Sequence, residues 1–131
     1  MLPRCLLGGW ALWFAIVATT NLCDLLRAVG VLAPSFGFAS GNLELIAHAT
    51  HAGAGFNRVL FVGVIAWEAA AAAFMAWASW RRPASPLPFV VAMTLFLSFM
   101  ISDELTLSYG AQGAHAHLFI ALGVTLLVTR T

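Results

Sequence analysis

Residues 56–83 read FNRVLFVGVIAWEAAAAAFMAWASWRRP, and this stretch decides the fold. Between Arg58 and Arg81 it carries one charge, Glu68. It exceeds the ~20 apolar residues that a helix needs to cross a hydrocarbon core of about 30 Å. It closes on Trp80, Arg81, Arg82 and Pro83, where an interfacial aromatic, two cations and a helix breaker coincide. The segment therefore reads as a transmembrane helix over about 56–80.

Working outward, three further stretches qualify as spans, at about 6–29, 87–109 and 114–128. The last is short, which places its entry in the headgroup layer. The composition agrees, with 62% hydrophobic and only 8% charged residues against the ~25% of a soluble domain. Such a chain has too little polar surface to fold in water. The reading is all-α, a four-transmembrane-helix bundle forming one integral membrane domain over 1–131. The N-terminal run after Arg4 superficially resembles a signal peptide, but no small-x-small cleavage pattern follows it, so it is read as a retained first span. Lysine is absent and the net charge is +1, which offers no polyanion-binding surface, so nucleic acid is not an expected partner. Cys5 and Cys23 stand about 27 Å apart along the first helix, too far for a disulfide.

The arginines predict orientation. Arg4, Arg81, Arg82 and Arg130 flank one set of helix ends and only Arg27 and Arg58 the other, so the first set is cytoplasmic by the positive-inside rule, with both termini inside. Trp10, Trp13, Trp77 and Trp80 fall toward the same side, as an interfacial belt would. The expected location is the inner cell membrane, multi-pass. Short connections after spans two and three predict antiparallel neighbours. The loop after span one is long. Within it, residues 42–52 read as a short helix capped by Asn42 and lying on the outer surface of the bundle.

This topology gathers the polar residues in the outer half. Asn21 and Asp24 close span one, and Asp103 and Glu104 come late in span three. Glu68 stands about 18 Å into span two, near the bilayer midplane, where an ionisable group faces the bundle interior. The small residues Ala69 to Ala73 favour that placement by permitting close helix approach. Glu68 reads either as a proton-relay or ligand-contacting carboxyl, or as a neutral one hydrogen-bonded to a neighbouring helix. Asp24 reaches Arg27 at i+3, a local ion pair. That leaves Arg58 for Asp103 or Glu104, which otherwise bind something cationic. Thr94, Ser98, Ser102 and Thr106 recur every fourth residue, with Tyr109 continuing the stripe, and predict a helix-packing face of interhelical hydrogen bonds.

The histidines are the candidates for metal chemistry. Glu44, His48 and His51 lie at i, i+4 and i+7 on one helical face and offer three donors. His115 and His117 point to opposite sides of a helix but to one side of an extended segment. A solvated polar face on an interfacial helix is the competing reading. Cofactors stay open between a metal ion and haem, and haem fits less well because all four histidines fall near one surface.

Asn21-Leu-Cys-Asp24, Glu68 within Val-Ile-Ala-Trp-Glu-Ala, and Glu104 closing Phe-Met-Ile-Ser-Asp-Glu together resemble an uncharacterised bacterial family, the predicted small integral membrane proteins. The long first loop and the short third one match as well. The family's Gly-Glu-Trp-Phe step is here Asp103-Glu-Leu-Thr106, and Tyr109-Gly-Ala-Gln-Gly113 replaces a Trp-Asn-Gly step. The resemblance implies topology and transfers no activity. Residues 20–26 and 99–105 are also faintly alike, a relic of duplicated hairpins. Size favours a non-catalytic accessory subunit of a larger membrane complex, respiratory or otherwise redox, partnered by lipid and by another membrane protein or a second copy. A metal- or haem-binding protein and a proton or ion transporter through Glu68, Asp103 and Glu104 are the alternatives.

Overall fold

The computed structural model describes residues 2–81, 86–106 and 109–130. Five helices follow one another: α1 (Leu2–Ala28), α2 (Asn42–Thr50), α3 (Ala54–Arg81), α4 (Leu87–Leu105) and α5 (Tyr109–Arg130). All but α2 are long and apolar enough to span a membrane, and α2 lies between the first two, as the sequence predicts.

The helix ends follow local chemistry. α1 begins at Leu2 because Pro3 is tolerated in a first turn, where its missing N–H has no intrahelical partner. It ends in a Schellman turn: Gly30 at φ 79° donates its N–H to Arg27 O, and Val31 donates to Leu26 O at 2.9 Å. α4 stops at Leu105, short of the expected 109, and Thr106 turns its N–H back to Ser102 O. α5 starts at Tyr109, before the expected 114, because its polar first turns are helical although they lack an apolar signature.

α1, α3, α4 and α5 form an up-down-up-down ring in that order, with α1 against α3 as the most extensive seam and α5 against α1 as the slightest. The α1–α3 seam has a coiled-coil rhythm. On α3 the buried positions are Asn57, Phe61, Glu68, Ala71, Met75 and Ala78, and on α1 they are Leu7, Phe14, Ala18, Asn21 and Asp24. These intervals of three, four and seven keep one stripe against the partner. Ala18 and Ala71 let the backbones approach. Of the alanine run 69–73, Ala71 alone is fully buried, and Ala69 and Ala73 face outward.

The two ends of the bundle differ. Away from α2, Leu7, Phe14, Ala71, Met75, Phe89, Ala92, Leu95, Phe96 and Leu122 close a continuous apolar core. There Trp10 donates its indole N–H across the slight seam to Thr125 Oγ1 at 3.1 Å. Trp10 and Trp13 are thus partly buried, whereas Trp77 and Trp80 are exposed as interfacial residues would be. At the α2 end polar side chains replace the core. α2 packs on α3 and α1, contributes no fully buried residue, and leaves a space between itself and the α4–α5 hairpin.

Candidate functional site

That space is a cavity of about 860 Å³, within the ~300–1,000 Å³ range of small-molecule sites. It runs from α2 down to Glu68, and all five helices line it.

Glu68 is 3% exposed and Asn21 1%, one on each side of the α1–α3 seam. The Asn21 side-chain nitrogen lies 2.9 Å from Oε1 and 2.8 Å from Oε2 of Glu68, so its N–H forks between the two carboxyl oxygens. Asn42 then donates its side-chain amide to Asn21 Oδ1 at 2.9 Å. A relay of amides therefore links the first residue of α2 to the carboxyl deep in α3. This corrects the expectation for Asn42: Gly41, at φ 79°, holds the cap position with no side-chain cap bond, and the Asn42 side chain points inward to Asn21.

Asp24 is a structural pin. It accepts from Arg27 Nη2 at 2.7 Å, the i+3 pair expected, and from Leu43 N at 2.9 Å and Ser40 Oγ at 3.4 Å. One buried carboxylate thus ties the end of α1 to the start of α2. Asn57 does the same at the other end of α2, accepting from Thr50 Oγ1 at 2.8 Å and donating to Ala52 O at 3.0 Å. Sequence reasoning missed Asn57, although its place on the α3 stripe eleven residues before Glu68 was the signal that could have found it.

On the opposite wall His115 Nδ1 and Asp103 Oδ2 share a hydrogen bond of 2.6 Å, joining α5 to α4. Asp103 therefore meets histidine and not an arginine. Arg58 instead donates to Ala28 O at 3.5 Å, and Glu104, on the exposed side, accepts from Gln112 Nε2 at 2.6 Å. The hydroxyl stripe of α4 also departs from expectation: Thr94, Ser98 and Thr106 bond carbonyls of their own helix, as hydroxyls three or four residues along readily do. Ser102 and Thr106 line the cavity. The Tyr109 side chain, Arg82 and the Arg130 side chain lie outside the described residues.

An aromatic wall runs along the cavity from α1 to α5. Trp13 stacks edge-on to Phe14 at 5.0 Å, Phe14 meets Phe96 across the ring at 5.8 Å, and Phe99 meets the imidazole of His115 at 5.0 Å. His48 and His51 stand among the α2 residues lining the cavity, and His117 is exposed. Being helical, His115 and His117 point apart. Glu44 and His48 are 4.0 Å apart and both about four-fifths exposed. Among the described residues no three of His, Cys, Asp and Glu converge into a metal-ligand set, so the predicted donors Glu44, His48, His51, His115 and His117 do not form one centre.

What the site brings together is Glu68, Asn21 and Asn42 on one wall, Asp103 and His115 on the other, and aromatic rings between. Its polar groups are held by neighbours in fixed positions, an arrangement suited to binding. Comparison with family models, with curated proteins and with solved structures finds no match to this chain.

Proposed function

We propose that this protein is a membrane-embedded binding protein for a small amphipathic molecule, held in the cavity beneath α2. The carrying observation is the cavity itself, about 860 Å³ with apolar walls and the buried Asn21–Glu68 pair lining it. An apolar pocket with a few convergent polar groups is the usual form of a ligand site. In this reading the termini are cytoplasmic and the cavity opens on the outer face of the inner membrane. Arg4, Arg81, Arg82 and Arg130 support that orientation, since they flank in sequence the helix ends opposite α2.

The exposed apolar side chains, Val59 and Leu127 among them, suit lipid as well as a partner helix, so they add nothing for an accessory-subunit role. The cavity is what separates a binding role from a scaffold.

The test is to fill it. In nanodiscs, amphipathic ten-carbon compounds should raise the unfolding temperature of the wild type. Ligand at a hundred times its Kd stabilises by about 2.7 kcal/mol. Val64→Trp, one turn before Glu68 on the cavity wall, should remove the shift. Either no shift with any compound, or a shift that survives the tryptophan, defeats the proposal.

A further inference from the structure

Resting on that binding role, the lining groups also select the ligand's chemistry. We infer that the cavity takes an organic monocation, an ammonium on an apolar body, with its charge lodged between Glu68 and the aromatic wall.

Three independent features converge on this class. First, among the described residues the formally charged ones lining the cavity are Glu68 and Asp103, beside His48, His51 and His115, and no arginine is among them. An anionic ligand would bring its charge toward two carboxyl groups with no fixed cation to offset them. Second, the hydrogen bonding around Glu68 is incomplete in one direction. The forked Asn21 N–H engages one acceptor site on each oxygen, and a carboxylate has about four such sites in all. In its ionised form, the form a bound cation favours, what remains on Glu68 accepts and does not donate, so a matching ligand supplies donors, as a protonated amine does. Third, Trp13, Phe14, Phe96 and Phe99 line the same space. A cation within about 6 Å of such a ring is attracted by its quadrupole, and the attraction grows when both are out of water. Each feature alone has a structural explanation. Together they describe a cation site with an apolar surround.

The same features narrow the class. A polyamine would leave further charges against apolar walls. The aminoethyl head of a phospholipid carries a phosphate beside its ammonium, which would face Glu68 and Asp103. A free amphipathic amine with one charge fits both constraints.

The test compares decylammonium with decanol by isothermal titration into nanodiscs of phosphatidylcholine, with empty nanodiscs subtracted. The two probes share the chain and differ in the head. Wild-type protein should bind the amine about tenfold or more tightly than the alcohol, because a charge-assisted hydrogen bond and the ring contacts add to one head alone. Glu68→Gln should bring the ratio between the two probes toward one. Asp103→Asn should weaken the amine less, since Asp103 is already bonded to His115. The contrast between probes on wild-type protein needs no variant to fold. Equal affinity for both probes overturns the cation inference and leaves the binding role standing. Absence of binding by both overturns the two together.

Discussion

Replacing Asn21 by leucine removes the amide that donates to Glu68, while keeping a side chain of similar size in the α1–α3 seam. The structure sets the magnitude. Glu68 is 3% exposed, and Asn21 is the side chain that donates to it, at 2.9 and 2.8 Å. An average interhelical hydrogen bond within a membrane contributes only about 0.6 kcal/mol. A hydrogen bond to a charged group contributes about 1.5–3 kcal/mol, and an unpartnered buried group adds its own desolvation cost. With Glu68 ionised the larger value applies, and Asn21→Leu should destabilise by about 2–3 kcal/mol. Glu68→Met leaves a neutral amide unpaired and should cost about 1 kcal/mol. The double variant removes both partners of that bond and leaves the Asn42 amide without its acceptor, so it should lie within about 1 kcal/mol of wild type. A coupling energy of about 2–3 kcal/mol follows from the cycle. Unfolding by sodium dodecyl sulfate in mixed micelles, followed by tryptophan fluorescence, measures all four proteins. Additive losses in the double variant, or a cost of Asn21→Leu no greater than an average membrane hydrogen bond, would refute the reasoning.

Four further outcomes are expected. His115→Phe keeps the ring beside Phe99 but leaves Asp103, itself nearly buried, without its donor, and should cost about 1.5–3 kcal/mol in the same unfolding assay. Trp10→Phe should lose about 1 kcal/mol, and Trp10→Phe made on a Thr125→Val background should lose less, because that background already lacks the acceptor. Gly41→Ala meets no neighbouring atom but forces a side chain into φ 79°, so it should cost about 1–2 kcal/mol through backbone strain alone. A cysteine at exposed Ser40 should react with an impermeant thiol reagent added outside the cell while one at Ser85 is spared, and the reverse pattern would invert the orientation.

The fold was legible because its main signal is compositional. A single charge between Arg58 and Arg81 admits few structures other than a span, and similar runs supply the other three. Helix ends were less legible. Tyr109 to Gly113 looks like a loop because its residues are small or polar, yet His115 and Gln112, bonded to Asp103 and Glu104, help hold α5 against α4 there. The site was legible residue by residue and in the local Asp24–Arg27 pair, but not in its pairings between helices. The depth of Glu68 is a matter of counting, whereas its partner lies 47 residues away on another helix and leaves no local pattern. The four-residue hydroxyl period was misleading for a physical reason. The spacing that aligns side chains on one face also lets each hydroxyl reach a carbonyl one turn back on its own helix. The Glu44, His48 and His51 spacing placed donors on one face without indicating that Glu44 and His48 would be four-fifths exposed.

These departures from sequence logic are unevenly distributed, and their distribution bears on function. In the half of the bundle away from α2, Leu7, Met75, Ala78, Phe89 and Leu122 pack as composition would have them. In the half beneath α2, Asn21, Asp24, Asn57, Glu68 and Asp103 occupy buried positions where leucine or alanine would pack with less demand on geometry. Asp24 and Asn57 pin the two ends of α2, a helix that buries none of its own residues fully. Asn42 joins the same helix to Asn21 and so to Glu68. The polar network therefore holds α2 at a distance from the α4–α5 hairpin and keeps a carboxyl on the wall of the space between. A sequence selected only to assemble four helices would fill that space, since local rules are broken chiefly where a site requires it. Here Asn21, Glu68 and Asp103 line one cavity while Asp24 and Asn57 hold the helix beside it, an arrangement that the proposed binding role accounts for and a bare four-helix scaffold does not.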